Sequence, residues 1–156
     1  MPYVQIECSK TGNFLGISDG TKIQIYDLST LEPKFEITLG YLGISQFQFT
    51  YKKELFLLVP KVKKSKPKII LTPIDRVIVY NSSTEQAVNY ISYSYGDVTH
   101  IYSNPFHPVF LVLLDDKEVC FQNMNKRKQE YKKIAMLNRS RMRQGFFPDG
   151  KKVFIL

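Results

Sequence analysis

The chain has 156 residues, 44% of them hydrophobic and 13% aromatic, with 11 Phe, 10 Tyr, no Trp and a formal net charge of +8. That length suits one domain whose core needs no metal or disulfide staple, and the aromatic-rich composition excludes a disordered tail. No 18-residue apolar stretch is present, and the start MPYVQIECSKTG lacks the charged and apolar regions of a signal peptide, so the expected location is cytoplasmic, with the nucleus as the alternative.

Along the chain, alternation of apolar and polar residues predicts half-buried strands at Tyr3/Val4 to Cys8, Ile23 to Tyr26, Ile44 to Phe49, Val77 to Tyr80 and Val119 to Phe121. Between them run continuous apolar segments, Phe14 to Ile17, Leu55 to Val59, Phe110 to Leu114 and Val153 to Leu156, which read as strands buried on both faces. Asn125 to Leu137 has a helix-forming composition, but its apolar residues gather at one end, so a loop followed by a strand is expected. Turn chemistry separates the strands at Lys10-Thr11-Gly12-Asn13, Asp19-Gly20, Tyr51 to Lys53, Asn81 to Ser83, Asp115 to Lys117 and Pro148-Asp149-Gly150. Cys8 and Cys120 sit inside strand-like runs with no CxxC or Cys/His cluster, so both read as small core residues of a reduced protein.

The strands repeat as a unit. TGNFLGISDGTKIQIYDLSTLEPKFEI lies over HPVFLVLLDDKEVCFQNMNKRKQEYKKI in the same order: turn, buried strand, acidic turn, alternating strand, polar turn, charged-rim strand. KKELFLLVP and DRVIVYNSSTEQAVNYI repeat the order around a gap, and PDGKKVFIL begins it again. Four strands per unit at a period near 40 to 45 residues is the period of a β-propeller.

In these features the chain resembles the WD40 family in its looser form. Tyr26-Asp27, Tyr80-Asn81 and Phe121-Gln122 stand where that family ends its third strand in Trp-Asp. Gly145 to Leu156 (GFFPDGKKVFIL) is similar to its hairpin between first and second strands, with Lys10 to Leu15 and Asn104 to Pro108 as further versions. There is no Trp and no Gly-His pair, so the buried His-Ser-Asp network is absent. The resemblance implies an all-β fold of four-stranded antiparallel meanders in an incomplete ring of about three and a half blades. The blades are expected at about 3–39, 44–94, 98–137 and, in part, 141–156, with a Lys-rich insertion at 61–73. A stop at Phe154-Ile155-Leu156, inside the second strand of a unit, would leave an apolar edge. The chain is therefore expected to be a fragment, or to be completed by another chain, with a non-propeller sheet as the remaining alternative.

The implied function is a non-catalytic scaffold for protein–protein interaction within a larger complex. Tyr41, Tyr93, Tyr95 and Tyr102 are candidate aromatic anchors, since aromatic residues lead interface hot spots, although sheet core or rim is an equal reading. The alternative is an RNA- or ribosome-associated propeller. The Lys-rich insertion and the run from Asp19 to Asp27 are similar to features of propeller-bearing translation-initiation subunits. Positive charge concentrates in Lys61 to Lys68 (Lys61, Lys63, Lys64, Lys66, Lys68), Lys126 to Lys133, and Arg139, Arg141 and Arg143, which leaves the rest of the chain mildly acidic. In a meander, the Lys61 loop and the loop at 138–142 share one face and Lys126 to Lys128 lie on the other, so the positives do not form one surface. Contiguous Lys and Arg would be wanted for phosphate binding.

Catalytic chemistry is not expected. His100 and His107, even with Ser103 and Asp97 near in sequence, offer no converging triad. The acidic run Asp115-Asp116-Lys117-Glu118 reads as a hairpin turn and not as a Ca²⁺ loop. Gly40-Tyr41-Leu42-Gly43 joins two strands and opens no helix, so it is no phosphate loop. No metal site and no cofactor are expected.

Overall fold

The computed structural model describes residues 4–40, 42–62, 76–93, 96–126, 132–136 and 144–155. Among the described residues, fourteen strands form four antiparallel sheets in strict chain order. The first blade contains β1 (Gln5–Cys8), β2 (Phe14–Ser18), β3 (Lys22–Asp27) and β4 (Glu32–Thr38). The second contains β5 (Leu42–Phe49), β6 (Leu55–Val62), β7 (Arg76–Asn81) and β8 (Gln86–Ser92). The third contains β9 (Val98–Ser103), β10 (Val109–Leu114), β11 (Glu118–Asn123) and β12 (Lys132–Met136), and a two-stranded sheet follows, β13 (Gln144–Phe146) with β14 (Val153–Ile155).

The turns follow from local chemistry. In the β10–β11 hairpin, Asp115 (φ 49°) and Asp116 (φ 56°) both occupy the left-handed region and Lys117 N–H donates to Leu114 C=O at 2.9 Å, a tight turn within the three-residue connection between the paired Leu114 and Glu118. After the third strand of each full blade, a side-chain oxygen caps the next turn. Asp27 Oδ1 accepts from Ser29 N–H, Asn81 Oδ1 from Ser83 N–H and Asn123 Oδ1 from Asn125 N–H, at 2.8, 2.8 and 2.9 Å.

This alignment corrects one sequence match. Phe14 pairs with Asp27, Leu55 with Asn81 and Val109 with Asn123, so the third blade's counterpart of Tyr26-Asp27 is Gln122-Asn123 and not Phe121-Gln122. The one-residue shift escaped notice because the aromatic, Phe121, sits one place early.

The blades pack face to face. Ile23, Ile25 and Ile37 of the first blade meet Ile44, Phe47, Phe56, Leu58, Ile78 and Tyr80 of the second. Leu57, Val59, Val77, Val79 and Ile91 of the second meet Val98, Ile101, Phe110, Val112 and Leu114 of the third. Leu111, Leu113 and Val119 of the third meet the half-buried Phe146, Val153 and Ile155. Successive residues of β6 and β10 thus point into different cores, which is why those strands read as unbroken apolar runs. The innermost strands β1, β5, β9 and β13 are neighbours in turn, as blades about a common axis require.

Three expectations about burial change. The runs at β2 and β14 were predicted to be buried on both faces, yet Leu15, Ile17, Val153 and Ile155 are half-buried. Cys8, expected in the core, is exposed, whereas Cys120 is buried. Cys8, Leu15 and Ile17 lie on the face of the first blade that lacks a described neighbour, whereas Val153 and Ile155 meet the third blade from a sheet of two described strands. β6 also runs on through Pro60 and Lys61 to Val62, so the insertion leaves the sheet later than expected.

Candidate functional site

The turns joining first to second strands and third to fourth strands emerge on one face of the stack. Cavities open there, among them one of about 380 Å³ between the third blade and the last hairpin, lined by His107 and Lys152. A larger one, about 430 Å³, lies where the innermost strands end, between Glu7, Cys8, Lys10, Phe49, Tyr102 and Phe147. Glu7 accepts hydrogen bonds from Gln5 Nε2 and Gln48 Nε2, both at 3.2 Å. Burial raises its carboxyl pKa above the ordinary value, and those two bonds only partly oppose the shift. The Lys10 ammonium lies over the Phe106 ring, tying the first blade's turn to the third's.

A further cavity, about 330 Å³, is a crevice between the first and second blades. Its floor is Phe14, Ile25, Phe35, Phe49 and Phe56, with Phe56 edge-on to Phe35 at 6.1 Å and tilted against Phe49 at 5.1 Å. Its rim is polar, with Asp27, Lys34, Lys53, Glu54, Ser82 and Ser83. Lys34 Nζ stands 3.6 Å from Asp27 Oδ2, and the bonds from Ser29 hold the Asp27 carboxyl below its usual range, with Lys34 adding to the effect. An apolar floor under a few oriented polar groups is what a docking pocket for a side chain requires.

The predicted contact residues fare unevenly. Tyr93 is fully buried in the core between the second and third blades, in one cluster with Val98 and Ile101, so it is not available as an anchor. Tyr102 is half-buried, lines the larger cavity and stacks on His100 at 6.3 Å, and burial raises its phenol pKa. Tyr41 and Tyr95 lie outside the described residues, as do Lys63, Lys64, Lys66, Lys68, Arg139, Arg141 and Arg143. Lys61 belongs to the opposite face, where it lies over Gly20 and Gly43: a Cβ on Gly20 would meet Lys61 Nζ at 2.6 Å, and one on Gly43 would meet Lys61 Cγ at 2.9 Å. It is a packed side chain with a wet tip.

Sequence reasoning missed the lysines of the turn face. Lys10, Lys52, Lys53, Lys151 and Lys152 belong to the first-to-second-strand turns of three blades, and Lys126, already singled out from the sequence, to a neighbouring turn. They stand as one Lys and two adjacent pairs far apart in the chain, and share a face only when blades stack. The aromatic crevice was missed for the same reason, since Phe14, Phe35, Phe49 and Phe56 come from four strands.

No triad or metal cluster forms among the described residues. His100 Nδ1 lies 3.8 Å from Asp116 Oδ1, Ser103 Oγ turns to Asn104 C=O at 3.4 Å, and Asp97 N–H is held by Asp115 Oδ1 at 2.8 Å. Asp115 and Asp116 are spent on the turn and these contacts.

No family model matches the chain, and no curated protein sequence matches it. Solved structures do. Over 96% of this chain it is similar to 47% of the β-propeller domain of Cps50 (Swd1) from Myceliophteria thermophila, at 10% identity and a TM-score of 0.64. Over 83% it is similar to 36% of Hsv2 from Kluyvelomyces marxianus, at 16% identity and a TM-score of 0.60. The chain thus spans between about a third and a half of these proteins. The likeness shows the fold: the four sheets are β-propeller blades, about three and a half of them.

Proposed function

We propose that the chain is a non-catalytic scaffold that binds a partner protein on its turn face, as one part of a larger assembly. The observation that carries this is the crevice between the first and second blades, an apolar aromatic floor within a charged rim, which fits an apolar side chain flanked by polar groups. Tyr102 and Phe147, beside the larger cavity, extend the same surface. Affinity capture of the tagged chain tests the reading when paired with Ser83→Trp, a change at an exposed rim position that would cover the crevice. A partner recovered in stoichiometric amount with the parent chain and at least about tenfold depleted with the variant is expected for a central hot spot. Absence of any partner with the parent chain, or equal recovery with both, overturns it.

A second reading is RNA contact through the lysines of the same face, Lys10, Lys52, Lys53, Lys126, Lys151 and Lys152. Filter binding across a salt series distinguishes it, since phosphate contacts make affinity fall linearly in log salt. Binding that is undetectable at low salt, or unchanged when Lys52 and Lys53 become Ser, removes this reading.

A further inference from the structure

The two full blade junctions are clasped alike at their inner end and differ at the turn face. Gln5 of β1 donates from Nε2 to Phe47 C=O at 2.9 Å and accepts at Oε1 from Phe47 N–H at 3.0 Å. Gln46 of β5 holds the third blade in the same way, its Nε2 donating to Thr99 C=O and its Oε1 accepting from Ile101 N–H at 3.2 Å. A carboxamide has a donor and an acceptor at peptide spacing, so each satisfies a strand edge that has no ladder partner on that side.

At the turn face, one backbone bond recurs in every full blade and fixes which residues correspond. Leu28 N–H donates to Asn13 C=O, Ser82 N–H to Glu54 C=O and Met124 N–H to Pro108 C=O, at 2.9, 2.8 and 2.8 Å. Met124 is 2% exposed and sits in the core between the second and third blades. Asn89 of β8 ties its turn down, donating from Nδ2 to Met124 C=O at 2.9 Å and to Lys126 C=O at 3.2 Å. Between the first and second blades both devices are replaced. Ser82 stands in the place of Met124, and its hydroxyl turns back to Glu54 C=O at 3.2 Å. Phe35, paired with Ile25 as Asn89 is with Val79, stands in the place of Asn89 and can donate no bond. The crevice of about 330 Å³ opens at this junction, where the second blade carries a serine instead of a methionine.

We infer, building on the turn-face reading, that the crevice is a receptor for a methionine side chain carried by an uncharged linear segment of a partner protein. The next junction supplies the chemistry of the occupant, since Met124 is the side chain that closes this place when the chain provides its own. The floor favours it over other apolar side chains. Phe14, Phe35, Phe49 and Phe56 surround the space, a thioether sulfur makes favourable contacts with ring edges, and an unbranched side chain bends to fit an irregular gap. The rim carries two carboxylates, Asp27 and Glu54, and two ammonium groups, Lys34 and Lys53. With no net charge, it complements an uncharged segment better than a basic peptide or a phosphate chain.

Ser82→Met tests the fit within the chain itself. The crevice should close on its own methionine, so that the denaturation midpoint rises above that of Ser82→Ala, which loses only the hydroxyl bond. A folded Ser82→Met with a midpoint at or below that of Ser82→Ala overturns the inference. Binding is read with a phage-displayed library of short random peptides selected on the parent chain, which decides the matter even if Ser82→Met does not fold. The selected peptides should share a methionine, show no excess of charged residues and stay bound at high salt. Replacing that methionine with alanine should weaken binding about tenfold or more, the weight of burying one apolar side chain, and so should Ser82→Met in the chain. A basic or aromatic consensus, no enrichment over the unselected library, or equal binding to Ser82→Met overturns the inference. A partner that is lost with Ser83→Trp but contacts the crevice through a segment without methionine overturns it too, while leaving the turn-face reading intact. Methionine peptides that bind while no partner is captured have the reverse meaning, so the two failures are separable.

Discussion

The junction between the first and second blades and the junction between the third blade and the half-blade solve one packing problem with different completeness. At the first, Phe47, Phe56 and Leu58 are fully buried and Gln5 clasps the neighbouring strand. At the last, Phe146, Val153 and Ile155 are only half-buried. There the buried Asn104 reaches across, donating from Nδ2 to Gly150 C=O at 2.8 Å while its Oδ1 accepts from Phe106 and His107 N–H. His100 takes the place of the clasping Gln and faces Asp116 instead. The apolar pattern is the same in both; the presence of two further strands decides how dry the interface becomes.

That contrast sets the size of mutational effects. Phe56→Ala, which empties a buried site touched by two other rings, should cost about 3–5 kcal/mol in chemical denaturation, whereas Val153→Ala should cost about 1 kcal/mol. Equal losses would mean that the last junction is as well packed as the first. Gln46→Ala strands Ile101 N–H and Thr99 C=O at the second junction and should cost about 1–3 kcal/mol, with Gln5→Ala at the lower end because β1 is wetter. Gly16→Ala belongs to the same range. Its Cβ would meet Phe47 Cε2 at 2.6 Å, so the ring must shift, an overpacking effect expected only where the blades are close.

A smaller effect comes with a pH signature. The Glu7 pKa is raised in the folded state, so the folded chain holds its proton more tightly than the unfolded chain. Stability from this group is therefore full below the unfolded value of 4.5 and is lost as pH rises through the folded value. Glu7→Gln should stabilise the protein at pH 7 by less than about 1 kcal/mol and make no difference at pH 3. A gain that persists at pH 3 would assign the effect to something other than charge burial. Least costly to stability is alkylation. Cys8 is exposed, while burial and then Glu118 push the Cys120 thiol up to about 12, so iodoacetamide at pH 8 should label Cys8 first, as read by peptide mass.

Much of this architecture is legible residue by residue. Alternation in Ile23 to Tyr26 and Val77 to Tyr80, unbroken apolar runs in β6 and β10, and Asp or Asn at the turns each specify a strand or its end through local sterics and hydrogen bonding. The repeat of those signals reveals the blade, because a blade is a local meander. The candidate surface was hardly legible. Phe14, Phe35, Phe49 and Phe56 are ordinary strand residues until two blades meet, and Tyr93, an anchor candidate by composition, is core by position.

By itself, then, the sequence determined the strands, their order and their pairing within each sheet, since these contacts span a few residues and follow side-chain period and turn chemistry. Only the tertiary structure decided which apolar faces become dry, which lysines share a surface, that Gln5 and Gln46 clasp the next blade, and that the third blade's capping pair is Gln122-Asn123. Those outcomes depend on which sheet lies against which, and burial is a property of the pair of surfaces and not of either strand.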